Sequence, residues 1–292
     1  MSSQAKAAHH LLVIGPGYTA EKCLNWLKSK GFRVTVAARR ADVRNSFSAK
    51  GVDAVGLDEA SDWPSDITHI LSSVAPPREG ENGLPDPILA HHQTKLDGLP
   101  GLQWIGYLSS TNVYGDRAGG SVDETTKPAP TLERGKRRLA AEEAWLHYGD
   151  ARGIAVHLFR LAGIYGPGRS ALDTVKSGRA RRIIKEGQLF SRIHVDDIAQ
   201  LVGTAALSGL PSGVFNGADN EPAPPQDVIE YAAKLLGAPM PPAIPFEEAA
   251  LSPMAKSFYA ESKKVVSGRL EELGITLKHP TYKDGLEALH NA

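Results

Sequence analysis

The sequence predicts an α/β fold in which a doubly wound parallel sheet carries a small C-terminal α/β lobe. Short apolar runs alternate with helical patterns through the first half of the 292-residue chain, which is typical of a parallel sheet covered on both faces. A glycine-rich turn joins the first run to the first helix. Nine prolines fall between Pro211 and Pro253, which indicates a smaller, irregular C-terminal lobe.

The elements follow in order from these patterns. We assign strands to the runs at Leu11–Ile14, Arg33–Ala38, Val52–Val55, Ile67–Val74, Gln103–Leu108 and Ala155–Leu161. The first helix has apolar residues at helical spacing and is ended by Gly31. The predicted helices are Thr19–Lys30, Ala41–Lys50, Thr131–Tyr148, Asp227–Leu236 and Tyr282–His290. The loop Pro76–Pro87 either borders a ligand cleft or is an ordinary surface loop.

The composition excludes several classes of protein. Lys+Arg and Asp+Glu are both 33, so the chain lacks the net charge of a nucleic-acid or anionic-membrane binder. The single cysteine, Cys23, permits no internal disulfide or cysteine metal cluster and is most simply a core residue. Residues 1–10 lack a secretory signal, and no run approaches ~18 apolar residues. We therefore expect a soluble, cytoplasmic protein, monomeric or homodimeric, whose partner is a small-molecule substrate.

The turn after the first strand predicts a dinucleotide site. Gly15-Pro16-Gly17-Tyr18-Thr19-Ala20 is a G-x-G-x-x-A motif between a strand and a helix, the context that the motif requires. The first glycine permits the tight turn, the second lets the backbone approach a pyrophosphate, and the small third residue permits close packing. We assign Gly15, Gly17, Tyr18, Thr19 and Ala20 to the cofactor site.

The end of the second strand favours NADP(H) over NAD(H). An NAD site places an acidic residue about 20 residues past the loop, where this chain has Ala37-Ala38-Arg39-Arg40 and no acid before Asp42. A guanidinium binds a 2′-phosphate through two hydrogen bonds. The alternative is that Arg39 and Arg40 are solvated and that the site accepts both cofactors.

Four segments resemble the extended short-chain dehydrogenase/reductases, the NAD-dependent epimerase/dehydratase group. The segments are Val55–Asp58, Ser109–Gly115, Arg160–Gly168 and Ile193–Ala199. Together they imply a Rossmann-like domain and a C-terminal substrate lobe. On this basis we assign residues 1–168, with 191–219 returning, to an NAD(P)-binding domain, and 169–190 and 220–292 to a substrate lobe.

The resemblance also implies individual site residues. Ser110 corresponds to the family's catalytic serine, which orients the substrate oxygen, although a serine at a strand end also satisfies turns. Asp58 is similar in position to a family residue near the adenine, and Ile164 to one near the nicotinamide. Ser73, Val74 and Ala75, at the end of the fourth strand, are also assigned to the cofactor.

The chain departs from the family at the Tyr-x-x-x-Lys pair. Aligned on Leu139-Ala140-Ala141-Glu142, the tyrosine corresponds to Arg134 and the lysine to Arg138. Aligned instead on Lys136, the tyrosine position holds Leu132, so neither alignment supplies a tyrosine. The missing tyrosine places the chain closer to the atypical members of the superfamily.

The altered pair limits the chemistry. Arg134 keeps its proton at working pH, so it can stabilise an oxyanion but not transfer a proton. Arg138 could bind the ribose hydroxyls. Both arginines could equally belong to a solvated basic face. Tyr114 and Tyr165 are the candidate replacement acids, although each is more often a packing residue.

Other polar residues are given mainly structural interpretations. His194-Val195-Asp196-Asp197 precedes an apolar helix, where the acids favour the helix dipole. Arg179, Arg181 and Arg182 either recognise an anionic substrate or are surface arginines. The pairs His9–His10 and His91–His92 lack clustered carboxylates, so we expect no metal site there.

Two functional hypotheses remain. The favoured one is an NADP(H)-binding epimerase-, dehydratase- or reductase-like enzyme that acts on a small, anionic carbonyl or sugar substrate. Its catalytic residues would be Ser110, Arg134, Arg138 and Tyr114. The alternative is a redox-silent NADP(H)-binding regulatory protein, which the missing tyrosine supports.

Overall fold

A computed structural model describes residues 9–58, 60–77 and 85–292. Its strands are β1 (His10–Ile14), β2 (Arg33–Ala38), β3 (Asp53–Gly56), β4 (His69–Ser72), β5 (Trp104–Ser110), β6 (Ser121–Val122), β7 (Ala155–Leu161), β8 (Gly163–Tyr165), β9 (Arg182–Ile184), β10 (Arg192–His194), β11 (Gly213–Gly217), β12 (Ala243–Pro245) and β13 (Lys264–Val265). Its helices are α1 (Tyr18–Ser29), α2 (Ala41–Ser48), α3 (Pro87–Asp97), α4 (Glu133–Arg152), α5 (Ala171–Lys176), α6 (Val195–Leu207), α7 (Pro225–Leu235), α8 (Pro253–Phe258) and α9 (Tyr282–His290). Short 3₁₀ turns lie at Thr111–Tyr114, Phe246–Glu248 and Glu271–Leu273.

The central sheet confirms the predicted fold class. Among the described residues, seven strands pair in the order β11-β7-β5-β4-β1-β2-β3. The pairs β4–β1, β1–β2, β2–β3 and β4–β5 are parallel, with Ile14 opposite both Ala37 and Ser72. The strand order reverses direction at β1 and β4, which is the arrangement of a doubly wound, Rossmann-like sheet.

The chain folds as two compact units. Unit 1 contains the described residues up to Ser109, then Arg137–Phe159 and Ala199–Val214. Its core joins strand residues such as Leu12, Ile70 and Ile105 to the fully buried Trp145 of α4. Each such aliphatic side chain stabilises the fold by roughly 1.5–3 kcal/mol on burial, which explains why these strands are almost uninterrupted apolar runs.

Unit 2 contains Ser110–Lys136, Arg160–Ile198 and Phe215–Ala292. Three two-stranded parallel sheets lie in it, β8–β10, β9–β12 and β6–β13. Leu172 of α5, Val228 of α7 and Leu286 of α9 share a small core. The predicted boundaries at 168, 191 and 219 divide a cofactor-binding domain from a substrate lobe, which is a different division from that into compact units. They stay predictions.

The segment around Asp197 has a structural role in unit 2. Its buried carboxylate accepts hydrogen bonds from the backbone N–H groups of Lys278 (2.6 Å) and His279 (3.2 Å). The side chain therefore fastens the start of α6 to the segment before α9. His194 is also buried, and its ring lies 4.0 Å from that of His279 between centroids.

Some elements differ from the predictions. β11 was not assigned, and the chain after the predicted loop forms α3. Residues 78–84 of the Pro76–Pro87 loop and residues 1–8 of the N-terminus lie outside the described residues. Among the described residues, no helix combines the length and apolar character needed to cross a bilayer.

Candidate functional site

The glycine turn between β1 and α1 fits an anion. Gly15 has a φ of +74°, and a Cβ there would lie 2.9 Å from Val74 Cγ2. Gly17 precedes α1 without a side-chain cap, and no described atom lies within 4 Å of the position its Cβ would take. Uncapped amides and the helix dipole favour a phosphate. The turn is therefore an open cradle that fits a pyrophosphate.

The predicted residues after Gly17 reach this cradle differently. Thr19 and Ala20 are buried in α1, so only their backbone groups are suited to meet a ligand. Tyr18 is partly exposed. Parallel β4, β1, β2 and β3 are neighbours, so their carboxyl ends lie along one sheet edge, where Rossmann-like proteins bind ligands.

The two arginines at the end of β2 are held differently. The Arg40 side chain donates from Nε (3.0 Å) and NH2 to the Asp42 carboxylate. Among the described residues, the exposed Arg39 guanidinium has no hydrogen-bond or ion-pair partner. Arg39 is therefore the guanidinium that is available to an added phosphate.

The remaining predicted cofactor residues of unit 1 follow β3 and β4. Asp58 is exposed, and the hydrogen bond from Ser61 Oγ (2.7 Å) keeps the pKa of its carboxyl low. The Ser73 N–H donates to the Ile14 carbonyl at 2.9 Å, so the turn after β4 is fixed beside the glycine cradle. Val74 and Ala75 continue that turn, and Val74 is the side chain that requires glycine at position 15.

Unit 2 contains a cavity of about 320 Å³ that we call the serine cavity. It is lined by Ser110, Thr111, Asn112, Arg134, Leu161, Ala162, Gly163, Ile164, Tyr165, Leu189, Phe190, Ser191, Arg192, Phe258, Glu261, Lys263 and Val265. Four residues that the sequence singles out thus line one cavity: Ser110, Arg134, Ile164 and Tyr165.

Ser110 and Arg134 carry different constraints. Ser110 ends β5, is partly exposed, and its Oγ accepts a hydrogen bond from the Asn112 N–H at 3.3 Å. The Arg134 guanidinium donates to Ser257 Oγ (2.6 Å) and the Ser257 carbonyl (3.1 Å), and lies 4.4 Å from the Phe258 ring centroid. Its buried Nε has no hydrogen-bond partner among the described residues. Burial lowers the pKa of Arg134, but the guanidinium remains charged.

Two further predicted catalytic residues do not line the serine cavity. Arg138 belongs to unit 1, where it donates to Tyr107 Oη (2.8 Å) and the Leu108 carbonyl (3.1 Å). Tyr114 is fully buried in unit 2, and its hydroxyl donates to Asn216 Oδ1 at 2.8 Å. Their assignment to catalysis stays a prediction.

The serine cavity also contains a buried ion pair that sequence analysis missed. Lys263 Nζ lies 2.7 Å from Glu261 Oε2, and the two residues are 8% and 5% exposed. A signal was present in the strand-like alternation, since Glu261, Lys263 and Val265 are buried whereas Lys264 and Val266 are exposed. Two-residue spacing therefore places both charges on the inward face with Val265.

A second cavity of unit 2, of about 510 Å³, carries several cations, and we call it the arginine cavity. Its charged lining residues are Arg169, Asp173, Arg179, Arg181 and Arg192. Asp173 is engaged by the Ser170 hydroxyl in a capping box. Of the arginines singled out from the sequence, Arg179 and Arg181 line this cavity, whereas Arg182 pairs with Glu230 at 3.2 Å.

Comparison with curated proteins finds partial matches. Protein YeeZ of Escherichia coli K12 is 29% identical over 175 residues, covering 54% of this chain and 59% of YeeZ. A 3-diazoavenalumate denitrifying reductase of a Streptomyces species is 30% identical over 174 residues, 54% of each chain. The chain thus spans less than two thirds of these relatives. No protein-family model matches it.

Solved structures match along nearly the whole chain. A conserved protein of unknown function from Silicibacter pomeroyi DSS is 44% identical, with a TM-score of 0.87, over 97% of this chain and 99% of that one. Human epimerase family protein SDR39U1 with NADPH has a TM-score of 0.74 at 18% identity, over 97% and 99%. Bacillus cereus UDP-glucuronic acid 4-epimerase with NAD has 0.73 at 19%, over 97% and 96%. The chain therefore belongs to one family with the Silicibacter pomeroyi protein and shares its fold with the SDR39U1 and UDP-glucuronic acid 4-epimerase structures.

Proposed function

We propose that the chain is a nicotinamide-dinucleotide-dependent enzyme of the epimerase, dehydratase or reductase kind, with a preference for NADP(H). The glycine cradle carries this proposal. Val74 leaves no room for a side chain at position 15, and Gly17 leaves the start of α1 uncapped and open. The SDR39U1 structure contains NADPH and the Bacillus cereus epimerase contains NAD, which supports this class of cofactor. A cytoplasmic location and a monomeric or homodimeric state stay predictions.

The serine cavity would hold the reacting carbon. A bound nicotinamide would supply or accept a hydride there, and Ile164, which the family resemblance associates with that ring, lines the cavity. The Ser110 hydroxyl can donate a hydrogen bond to the substrate oxygen and so orient it. Arg134 retains N–H donors beyond its two bonds to Ser257 and can stabilise negative charge developing on that oxygen.

The arginine cavity supports an anionic substrate. Four arginines and one carboxylate line it, so its local charge is strongly positive although the chain is neutral overall. Arg181 donates to the Ala180 carbonyl at 2.7 Å and Arg179 to Ser177 Oγ at 3.1 Å, and each guanidinium keeps donors for a ligand. Carboxylates and phosphates suit such paired donors.

One observation favours the alternative of a redox-silent NADP(H)-binding regulatory protein. The position of the family's tyrosine holds Arg134, which cannot transfer a proton and is fastened to Ser257 and Phe258.

A labelled-cofactor experiment separates the two functions. NADPH and NADH are first titrated against the protein, and NADPH deuterated on either face of C4 is then incubated with a panel of carbonyl compounds and cell extract. Deuterium in a product supports the enzyme. Tight binding without transfer from either face favours the regulatory protein, and no binding of either cofactor overturns both.

A further inference from the structure

Lys263 is held from two sides inside the serine cavity. Its Nζ donates to Glu261 Oε2 and to the Gly115 carbonyl, both at 2.7 Å. An ammonium has three N–H donors, so these two bonds leave one hydrogen for a ligand in the cavity that Lys263 lines. The contacts therefore fix the position of the nitrogen without using all of its donors.

Glu261 is itself fixed. Its Oε1 accepts a hydrogen bond from Thr131 Oγ1 at 2.9 Å, and its carbonyl accepts one from Gln188 Nε2 at 2.8 Å. A neutral Lys263 amine keeps two N–H groups, enough for its hydrogen bonds to Glu261 and to the Gly115 carbonyl. Its lone pair then takes the position of the third hydrogen. The pair can thus hold Lys263 in either protonation state without rearrangement.

Lys263 is a better proton donor than Arg134, Tyr114 or Tyr165. Arg134 keeps its proton. Burial raises the pKa of both Tyr114 and Tyr165, which moves each phenol further from neutrality. Burial instead lowers the pKa of Lys263, and the Arg134 cation lowers it further. The Glu261 and Asp116 carboxylates raise it, but the net shift is downward. A catalytic acid works best when its pKa approaches the working pH.

We propose that Lys263 is the proton donor and acceptor of the serine cavity, the role for which the chain has no tyrosine. This rests on the proposed function. In reduction, the carbonyl carbon gains the hydride, with its two electrons, from a bound dihydronicotinamide. The C=O π bond breaks, and the oxygen takes a proton as one Nζ–H bond breaks. The neutral amine regains its proton from water. In oxidation the amine accepts the hydroxyl proton, the C=O π bond forms, and the carbon gives its hydride, with two electrons, to a bound oxidised nicotinamide.

The first test measures the titration of Lys263 without turnover. Trace labelling with acetic anhydride across a pH series, read by mass spectrometry, compares Lys263 with the exposed Lys264. We expect the labelling of Lys263 to reach half its maximum at a lower pH than that of Lys264, because burial disfavours the charged form of Lys263. Equal midpoints overturn the proposal.

The second test separates Lys263 from the cofactor site. With deuterated NADPH and a panel that includes 4-carboxybenzaldehyde, we expect Lys263→Met and Lys263→Arg to lower kcat by ~10²–10⁴-fold. The affinity for NADPH should change far less than kcat, because Lys263 contacts neither the glycine cradle nor Arg39, which would hold the phosphates. Lys264→Met is the matched control and should transfer deuterium like wild type.

The outcomes distinguish the two proposals. If wild type and Lys263→Met transfer deuterium equally fast, the role of Lys263 is overturned and the proposed function stands. If wild type binds NADPH but transfers no deuterium to any compound, both fall. Because Lys263→Met leaves Glu261 buried without its cation, the double change Lys263→Met with Glu261→Gln serves as the second variant, and its kcat should stay equally low.

Discussion

The proposed preference for NADP(H) depends on single residues at the end of β2. Arg40 is bonded to Asp42, whereas Arg39 has no partner among the described residues. A charge-assisted hydrogen bond contributes about 1.5–3 kcal/mol, so we expect Arg39→Ala to weaken NADPH binding roughly tenfold or more and NADH binding little. Arg40→Ala is the control and should have the smaller effect. Fluorescence titration of both cofactors measures this, and equal losses for NADPH and NADH would contradict the 2′-phosphate contact.

Asp219 is a second residue whose effect can be measured, here on stability against pH. Its carboxyl is 2% exposed, Oδ2 has no hydrogen-bond partner among the described residues, and burial raises its pKa from 3.8 to about 7. Because the folded-state pKa is raised, its stabilising contribution is complete below the unfolded pKa and is lost as pH rises through about 7.

We therefore expect Asp219→Asn to gain stability relative to wild type as pH rises from about 4 to 8. The full change is ~4 kcal/mol at most, and the pKa behind it already includes the opposing effect of the nearby Arg192 cation, which favours the carboxylate. Urea unfolding of both proteins across this range measures the difference. A difference that stays constant with pH would show that Asp219 does not titrate as its burial implies.

Among the elements, the start of α4 is fixed by a close backbone approach. A Cβ on Gly135 would lie 2.7 Å from the Asn112 carbonyl oxygen and 2.9 Å from Pro130 Cβ. Gly→Ala in a helix normally stabilises by about 1 kcal/mol, but here the carbonyl belongs to the turn that follows Ser110. We expect Gly135→Ala to destabilise unit 2 by roughly 1–3 kcal/mol.

Urea unfolding tests this expectation. Lys136→Ala, at the next position in the chain and exposed, is the control and should change the free energy of unfolding by less than ~0.5 kcal/mol. A stabilised Gly135→Ala would mean that the turn after Ser110 yields easily and does not position that serine.

The elements also show what local sequence could predict. β1, α1 and β2 were predicted to within one residue because apolar runs, helical spacing and glycines agree there. β11 was missed because Gly213-Val214-Phe215-Asn216-Gly217 has only two apolar side chains and a glycine at each end. α3 carried its own signal, since Asp86 accepts from the Ile88 and Leu89 N–H groups and proline occupies the first helical position.

Of the candidate site, the glycine cradle could be predicted from the sequence, whereas the proposed proton donor could not. The cradle is built from neighbours in the chain, so its motif is visible there. Lys263 lies 153 residues after Ser110 in the sequence, and only folding shows that both line one cavity. No alignment of motifs could connect them, because the family's own donor position holds Arg134.

For the whole molecule, overall charge and local charge carry different information. A net charge of zero excludes a general attraction to polyanions, yet the arginine cavity gathers four guanidinium groups on one wall of unit 2. Neutrality therefore argues against a nucleic-acid surface while remaining compatible with a small anionic ligand, since only nearby charges act strongly through solvent at physiological salt.

Unfolding measurements on Gly17→Ala, with and without NADPH, should separate an effect on folding from an effect on cofactor binding. Its φ of −101° suits any residue, and no described atom meets an added Cβ, so Gly17→Ala should change the unfolding free energy by less than ~0.5 kcal/mol. The same methyl would occupy the place of a pyrophosphate.

NADPH at 100 times the wild-type Kd should stabilise wild type by ~2.7 kcal/mol, and a tenfold weaker variant by only ~1.4 kcal/mol. Gly98→Ala, with φ −75° and 3.5 Å contacts, is the control and should keep the full gain in thermal and urea unfolding. A Gly17→Ala variant that NADPH stabilises as much as wild type would move the dinucleotide away from α1.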